Sequence, residues 1–119
     1  MASLNLSVYG TLKRGFRNHR LLERQQFIRE AVTLPRYRLF DRGAYPCLVE
    51  DAEAGVAVQG ELWKIDTEIL PLLDRLEGVP DLFIRREIVI EAFPEPVVAY
   101  FYKGHVSRYR DCGACWPPA

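Results

Sequence analysis

Glu77 is the side chain whose position in this sequence best suits proton transfer. Steps of four and seven residues back from it reach Leu73 and Leu70, which belong to the apolar stripe of a predicted helix. The spacing therefore predicts that Glu77 points inward at the helix end. Burial and the negative end of the helix dipole both raise the pKa of such a carboxyl group. A carboxyl group close to neutrality can take up and return a proton, as a general acid/base must.

The same spacing leaves two purely structural roles open for Glu77. The side chain can form an ion pair with Arg85 or Arg86, or it can turn outward where the helix ends at Gly78. From the pattern alone, the chain is an α+β domain with one unusually placed carboxylate.

A glycine turn between Val8 and Gly15 is the second candidate for chemistry. The alternating run that starts at Leu4 stops at Gly10, and Thr11 follows it. A strand that stops at glycine leaves backbone N–H groups unpaired, and these can hold a carboxylate or a developing oxyanion. Lys13 and Arg14 come next, either as ligands for an anionic substrate or as solvated side chains just after the turn.

The elements around these residues predict an α+β fold dominated by a strongly curved or closed sheet. Asn18 is expected to cap a short helix through about Gln26, and Asp66 or Thr67 a second helix to about Glu77. In that second helix the apolar stripe comprises Ile69, Leu70, Leu73 and Leu76. The clearest strands are expected at 56–65, where Gly60 is a candidate bulge or close-approach point, at 83–92 and at 97–102. We expect one domain over residues 1–119, with an irregular tail from about residue 105.

Composition narrows the classes of function. The chain has 119 residues with 16 basic and 16 acidic side chains, so no net charge attracts it to nucleic acid or to a membrane surface. It contains no apolar run of the ~18 residues that span a bilayer and no signal-peptide core, so a cytoplasmic location is expected. Three cysteines, an odd number, argue against a disulfide framework.

The pair Cys112 and Cys115 raises the question of redox or metal chemistry. Trp116 and two prolines follow the pair, so it does not open a helix as a thioredoxin-type motif would. A zinc site would need two further ligands, and the chain has only two histidines. We therefore expect neither a metal nor a cofactor.

Several segments together resemble the γ-glutamylcyclotransferase family, and the sequence is most similar to its γ-glutamylamine cyclotransferase branch. The segments that carry the resemblance are 9–15, Asn18 to Leu22, 73–78 and Pro80. The resemblance implies a small mixed β-barrel of about five to seven strands, flanked by a few short helices. It also implies an enzyme that converts a γ-glutamylamine or γ-glutamyl amino acid into 5-oxoproline and a free amine, without a cofactor.

The resemblance further implies a role for each matching residue. The loop of Tyr9, Gly10, Thr11 and Leu12 would hold the glutamyl group, and Glu77 would be the general acid/base. Family members commonly place a tyrosine of the last strand near the pocket, which suggests Tyr102 as a substrate-binding residue. Tyr100 shares its face by strand alternation. Relatives carry a tyrosine where this chain has Phe83, and this departure bears on substrate preference and not on the core chemistry.

Two other functions stay open beside the cyclotransferase. One is a non-catalytic binding module for a small acidic ligand, and the other is a γ-glutamyl hydrolase that releases glutamate. In each case the expected partner is a small molecule, with no nucleic acid and no membrane, and the chain is expected to be a monomer.

Overall fold

The structure, a computed structural model, describes residues 2–118 and contains eight strands and few helical segments. The strands are β1 Ser3–Val8, β2 Gln26–Val32, β3 Tyr37–Asp41, β4 Pro46–Glu50, β5 Gln59–Asp66, β6 Phe83–Glu87, β7 Val97–Tyr102 and β8 Arg110–Gly113. The helix α1 spans Leu70–Leu76 and directly follows a 3₁₀ helix at Thr67–Ile69. A separate 3₁₀ helix lies at His19–Leu22.

The strands form two sheets, and the predicted α+β class is confirmed. The larger sheet has the order β2-β5-β1-β7-β6, with β1 at its centre, antiparallel to β5 and parallel to β7. The smaller sheet has the order β4-β3-β8. The expected barrel is not formed: β4 and β8 both pair with β3 instead of joining the larger sheet, so the described strands do not close into one ring.

Side-chain alternation along the central strands produces two layers of core. Leu62 and Phe101 face the smaller sheet and pack in one cluster with its Leu39 and Leu48. Leu6, Trp63 and Tyr100 face the other way and pack in a second cluster with Leu22 and Leu73 from the helical segments. The larger sheet therefore lies between the smaller sheet and α1.

Gly60 permits the close contact of β5 with the end of β1. A Cβ atom added at this position would lie 2.6 Å from the carbonyl oxygen of Val8, so any larger residue would push the strands apart. The prediction of a close-approach point at Gly60 is confirmed. Immediately beyond this contact, β1 ends at Val8 and the chain enters the turn of residues 9–12.

The second predicted helix is confirmed in its limits but not in its whole apolar stripe. The Asp66 side chain accepts a hydrogen bond from the Glu68 N–H at 3.0 Å, and Gly78 ends the helix with a left-handed φ of 66°. Leu73 is fully buried, whereas Leu76 is 41% exposed. Because the four-residue step from Leu73 falls on Glu77, the carboxylate takes the inward position and Leu76 faces solvent.

Three other expectations need correction. The helix expected from Asn18 to Gln26 is only the 3₁₀ helix at His19–Leu22, because the chain already enters β2 at Gln26. The strand expected to reach residue 92 ends at Glu87. The tail after residue 105 is not irregular throughout, since it contains β8. Among the described residues, no helix has both the length and the apolar character needed to cross a membrane.

Candidate active site

A narrow cavity lies where β1 leaves the larger sheet, and Glu77 lines it together with the turn of residues 9–12. Its volume is about 30 Å³. The lining residues are Ser7, Val8, Tyr9, Gly10, Thr11, Leu12, Tyr45, Pro46, Glu77 and Tyr100. The structure thus brings together the carboxylate and the glycine turn, which are more than sixty residues apart in the sequence.

Glu77 is the C-cap residue of α1, and burial raises the pKa of its carboxyl group to about 7. Arg85 and Arg86, the two possible ion-pair partners of Glu77, are paired with other acids. Arg85 pairs with Asp74 at 3.0 Å, and Arg86 pairs with Glu50 at 3.0 Å. Within residues 2–118, Glu77 forms no ion pair, so its carboxyl group keeps a pKa in the range that proton transfer near neutral pH requires.

In the turn, the carbonyl groups of Gly10, Thr11 and Leu12 all accept hydrogen bonds. The N–H groups of the same three residues donate none. The carbonyl oxygens accept from the Lys13 N–H at 3.1 Å, the Asn18 N–H at 3.0 Å and the His19 Nδ1–H at 2.9 Å. The three N–H groups donate to no other group of the described chain. Three free N–H groups in one turn on the cavity wall form a site suited to an anion or to a polarised carbonyl oxygen.

Two tyrosines line the cavity, Tyr9 from the turn and Tyr100 from β7. The Tyr9 hydroxyl donates to the carbonyl oxygen of Tyr100, and the Tyr100 hydroxyl donates to Asp74 Oδ1 at 2.7 Å. Burial raises the pKa of both phenols well above the ordinary value, so both remain neutral donors. Burial would also raise the pKa of Asp74, but hydrogen bonds from Arg85 and Tyr100 outweigh it and lower the pKa.

Tyr102 does not line the cavity. Its hydroxyl accepts a hydrogen bond from Arg42 Nη1 at 2.9 Å, and its ring packs edge-on against Phe83 at 5.4 Å. Tyr100, two residues earlier on the same face, lines the cavity instead. Alternation placed both tyrosines on one face of β7 but could not say which of them lines the cavity.

Phe83, at the position where relatives carry a tyrosine, is almost fully buried behind Tyr45. Its ring packs edge-on against Tyr45 at 5.7 Å, and Tyr45 lines the cavity. Sequence reasoning missed Tyr45 and Pro46, because the turn that leads into β4 reaches the site only through the pairing of the smaller sheet.

Glu61 is a second buried acid that sequence reasoning missed, and it anchors the turn. Its carboxylate accepts hydrogen bonds from the Arg14 N–H, from Arg14 Nε and from Trp63 Nε1, each at 3.1 Å. The burial of Glu61 could have been predicted from spacing, since Glu61 shares a strand face with the apolar Trp63 and Ile65. Lys13 is also buried and donates to the carbonyl oxygen of Trp116. Neither Lys13 nor Arg14 lines the cavity, so neither is a direct ligand there.

A separate and wider groove of about 430 Å³ lies beside Lys13, Arg14 and Glu61. Its charged groups already neutralise one another or bond to the backbone, so it offers no acid/base group comparable to Glu77. The narrow cavity is therefore the better candidate for chemistry, although it is the smaller of the two.

The cysteines lie away from the cavity lining. Burial raises the pKa of the Cys47 thiol to about 12 and that of the Cys112 thiol to about 11, which leaves both poorly nucleophilic. All three thiols are unpaired. Among the described residues, no three His, Cys, Asp or Glu side chains are arranged to hold a metal ion.

The fold and the cavity define a small α+β domain with a buried carboxylate beside a turn of free N–H groups. The family described as "Gamma-glutamyl cyclotransferase, AIG2-like" matches residues 6–116, and the chain belongs to this family. The predicted resemblance is confirmed.

Individual relatives agree with this assignment. A Vibrio cholerae protein named "Putative gamma-glutamylcyclotransferase" is 38% identical over 98 residues, which cover 82% of each chain. The Bos taurus protein named gamma-glutamylaminecyclotransferase is 35% identical over 104 residues, which cover 80% of this chain and 62% of the bovine one. The crystal structure of an AIG2-like protein from Mus musculus shares the fold, with a TM-score of 0.79 at 24% identity over 92% of this chain and 83% of the other.

Proposed function

We propose that the chain is a γ-glutamyl cyclotransferase that converts a γ-glutamylamine or γ-glutamyl amino acid into 5-oxoproline and a free amine. The observation that carries the proposal is the pairing of Glu77 with the unused N–H groups of residues 10–12 in one cavity. Family membership and the names of the relatives support the same activity.

Glu77 would act as a base first and as an acid afterwards. The substrate's α-amine binds as an ammonium ion, which is not nucleophilic, so the Glu77 carboxylate takes one of its protons. The free amine then attacks the γ-carbonyl carbon and closes a five-membered ring. Because the attack is intramolecular, the enzyme mainly has to hold the substrate folded. Glu77 returns that proton to the departing nitrogen as the amide bond breaks, and its carboxylate then passes the surplus proton of the ring nitrogen to the released amine. The products are 5-oxoproline and an ammonium ion, so the protons balance without a cofactor.

The turn would stabilise negative charge during these steps. The N–H groups of Gly10, Thr11 and Leu12 can hold either the α-carboxylate of the glutamyl group or the oxyanion that develops on the γ-carbonyl oxygen. The Asn18 and His19 contacts keep the carbonyl groups of this turn engaged, so the N–H groups remain available.

Substrate entry would require one wall of the cavity to move. A volume of about 30 Å³ holds one or two water molecules and is too small for a glutamyl group. Eight of the ten lining residues are buried, and only Tyr45 and Glu77 are half-buried. We propose that the Tyr45 ring swings outward when the substrate binds.

The decisive experiment is Glu77→Gln, assayed by the release of 5-oxoproline from a panel of γ-glutamyl compounds. We expect kcat to fall by at least about 10²-fold, because the amide cannot transfer protons, while the variant remains folded under the assay conditions. Glu68→Gln, which alters an exposed carboxylate of the same helical segment, is the matched control and should keep full activity. Parent-like turnover in Glu77→Gln would refute the assignment.

The same panel separates the other two functions. Release of glutamate in place of 5-oxoproline would indicate a hydrolase, and binding without any turnover would indicate a binding module. The proposal also includes a cytoplasmic location, with the three unpaired thiols in its favour, and a monomeric state.

A further inference from the structure

The opening of the cavity lies between Tyr45 and Glu77, because these are the half-buried members of its lining. A γ-glutamyl substrate whose α-carboxylate and amine lie inside must direct its leaving group towards this opening. The residues around Tyr45 therefore meet the part of the substrate that differs between γ-glutamyl compounds.

Arg42 lies beside this opening in a frame of three tyrosine rings. Its guanidinium carbon is 5.5 Å from the ring centroid of Tyr45, 5.7 Å from that of Tyr102 and 5.7 Å from that of Tyr109. Nη1 also donates to the Tyr102 hydroxyl at 2.9 Å. The Arg42 N–H bonds to the Tyr45 carbonyl oxygen at 3.1 Å, so one tight turn carries both side chains.

The charge of Arg42 is not neutralised within the described chain. The acids of residues 2–118 that form ion pairs do so with Arg14, Arg38, Arg85 and Arg86. The neighbouring Asp41 is bonded to Trp116 Nε1 and to the Gly43 N–H instead. Arg42 thus keeps a full positive charge and several free N–H donors at the opening, and the aromatic rings limit its conformations.

We propose that Arg42 determines the choice of leaving group by binding its carboxylate, so that γ-glutamyl α-amino acids are preferred over γ-glutamylamines that lack one. This inference rests on the proposed function. In a γ-glutamyl α-amino acid the second carboxylate is two bonds from the scissile nitrogen, so it lies at the opening when the γ-carbonyl is beside Glu77. A neutral leaving group gains nothing from the guanidinium, and a cationic one is repelled by it.

The test compares three substrates of similar size: γ-glutamyl-alanine, γ-glutamyl-alaninamide and γ-glutamyl-2-aminoethylamide. The parent should favour γ-glutamyl-alanine over alaninamide about tenfold in kcat/KM, the effect of one partly solvated charge-assisted hydrogen bond, and the aminoethylamide should be poorest. In Arg42→Gln the first ratio should fall to about one, and in Arg42→Glu the order should reverse. Arg42→Lys should keep part of the preference.

Arg24→Gln is the matched control, because Arg24 is an exposed arginine outside the cavity lining. It should leave every ratio unchanged. A parent ratio near one, or a tenfold ratio that persists in Arg42→Gln, would overturn the proposal while leaving the cyclotransferase activity intact. An equal loss with all three substrates would show that Arg42 acts only on the structure, and would overturn the proposal as well.

A failure of the proposed function itself would look different, since no 5-oxoproline would form from any of the three. In that case the preference is measured by binding. Calorimetry in the Glu77→Gln background, with and without Arg42→Gln, compares the dissociation constants of γ-glutamyl-alanine and its amide. A preference for the carboxylate that depends on Arg42 supports the inference even without turnover. Equal affinities, or no binding of either, overturn it.

Discussion

At the scale of single residues, Glu77 shows how burial changes the chemistry of an ordinary side chain. Its carboxyl group is desolvated in a cavity wall, and the raised pKa of about 7 follows from that burial alone. Two nearby tyrosines do not hydrogen-bond to it, since the hydroxyl groups of Tyr9 and Tyr100 donate elsewhere. The carboxyl group is therefore left free for a bound substrate.

This burial predicts a pH dependence of stability. The pKa of Glu77 is about 7 in the folded chain, against an ordinary value of 4.5, so the folded state holds a proton that the unfolded state releases between these values. The free energy of unfolding should therefore fall as pH rises from about 4.5 to about 7, by on the order of 1 kcal/mol per unit of pKa shift.

Urea unfolding at pH 5 and at pH 8 measures this effect. Glu77→Gln should remove most of the fall in the free energy of unfolding, so the variant should be more stable than the parent at pH 8. Glu68→Gln, at an exposed position, should decline as the parent does. If Glu77→Gln and the parent lose stability equally between the two pH values, the carboxyl group is not desolvated in solution.

The position of Glu77 could be predicted from the sequence, but the positions of its neighbours in the cavity could not. A four-residue step from Leu73 is a local property of one helix, so the inward direction of Glu77 could be inferred from spacing. The choice between Tyr100 and Tyr102, and the arrival of Tyr45, depend on pairings between distant strands. Periodicity along the chain does not contain that information.

At the scale of elements, a cluster of polar side chains ties α1 to the edge of the larger sheet. Asp74 of α1 accepts two hydrogen bonds from Arg85 of β6, each at 3.0 Å, and one from Tyr100 of β7 at 2.7 Å. Since Asp74 lies three residues before Glu77, the same contacts fix the helix end that carries the carboxylate.

We predict that Asp74→Ala lowers the free energy of unfolding by about 1–2 kcal/mol, because it leaves the Tyr100 hydroxyl and the Arg85 guanidinium without their acceptor. Glu50→Ala is the matched control: it removes a carboxylate from an ion pair whose two side chains are about half exposed, and should cost less than about 1 kcal/mol. Urea unfolding of both variants checks the difference. Equal costs would mean that the cluster contributes no more than a surface ion pair.

Local patterns predicted element types better than element lengths. Helix α1 was predictable because its caps and its apolar spacing agree. The segment after Asn18 was also predicted to be helical. The backbone N–H and the side chain of Asn18 bond to Thr11 instead, and after the 3₁₀ helix the chain pairs with β5. Tertiary contacts thus overrode a weak local preference.

At the scale of the whole molecule, the chain end holds the smaller sheet in place. The tail contributes β8, and Trp116 beyond it is buried in the cluster between the sheets. Its Nε1 donates to Asp41 at 3.0 Å, and its ring packs against Phe16 at 5.6 Å. A segment that was expected to be an irregular tail therefore supports the turn that carries Arg42 and Tyr45.

We predict that Trp116→Ala lowers the free energy of unfolding by about 3–5 kcal/mol, since it removes a large buried ring and a hydrogen bond. Leu72→Ala, which shortens a side chain that is 46% exposed, should change it by no more than about 0.5 kcal/mol. Thermal and urea unfolding report both values. A Trp116→Ala protein as stable as the Leu72→Ala control would show that the tail does not pack in solution.

The central position of β1 has a consequence for how the protein is made. Strand β1 is synthesised before both of its neighbours in the sheet, β5, which ends at Asp66, and β7, which ends at Tyr102. One edge of β1 can be covered only after β5 has been synthesised, and the other only after β7. Completion of the larger sheet around β1 is thus deferred until residue 102 has been synthesised, and a nascent chain stalled before that point leaves one edge of this apolar strand unpaired.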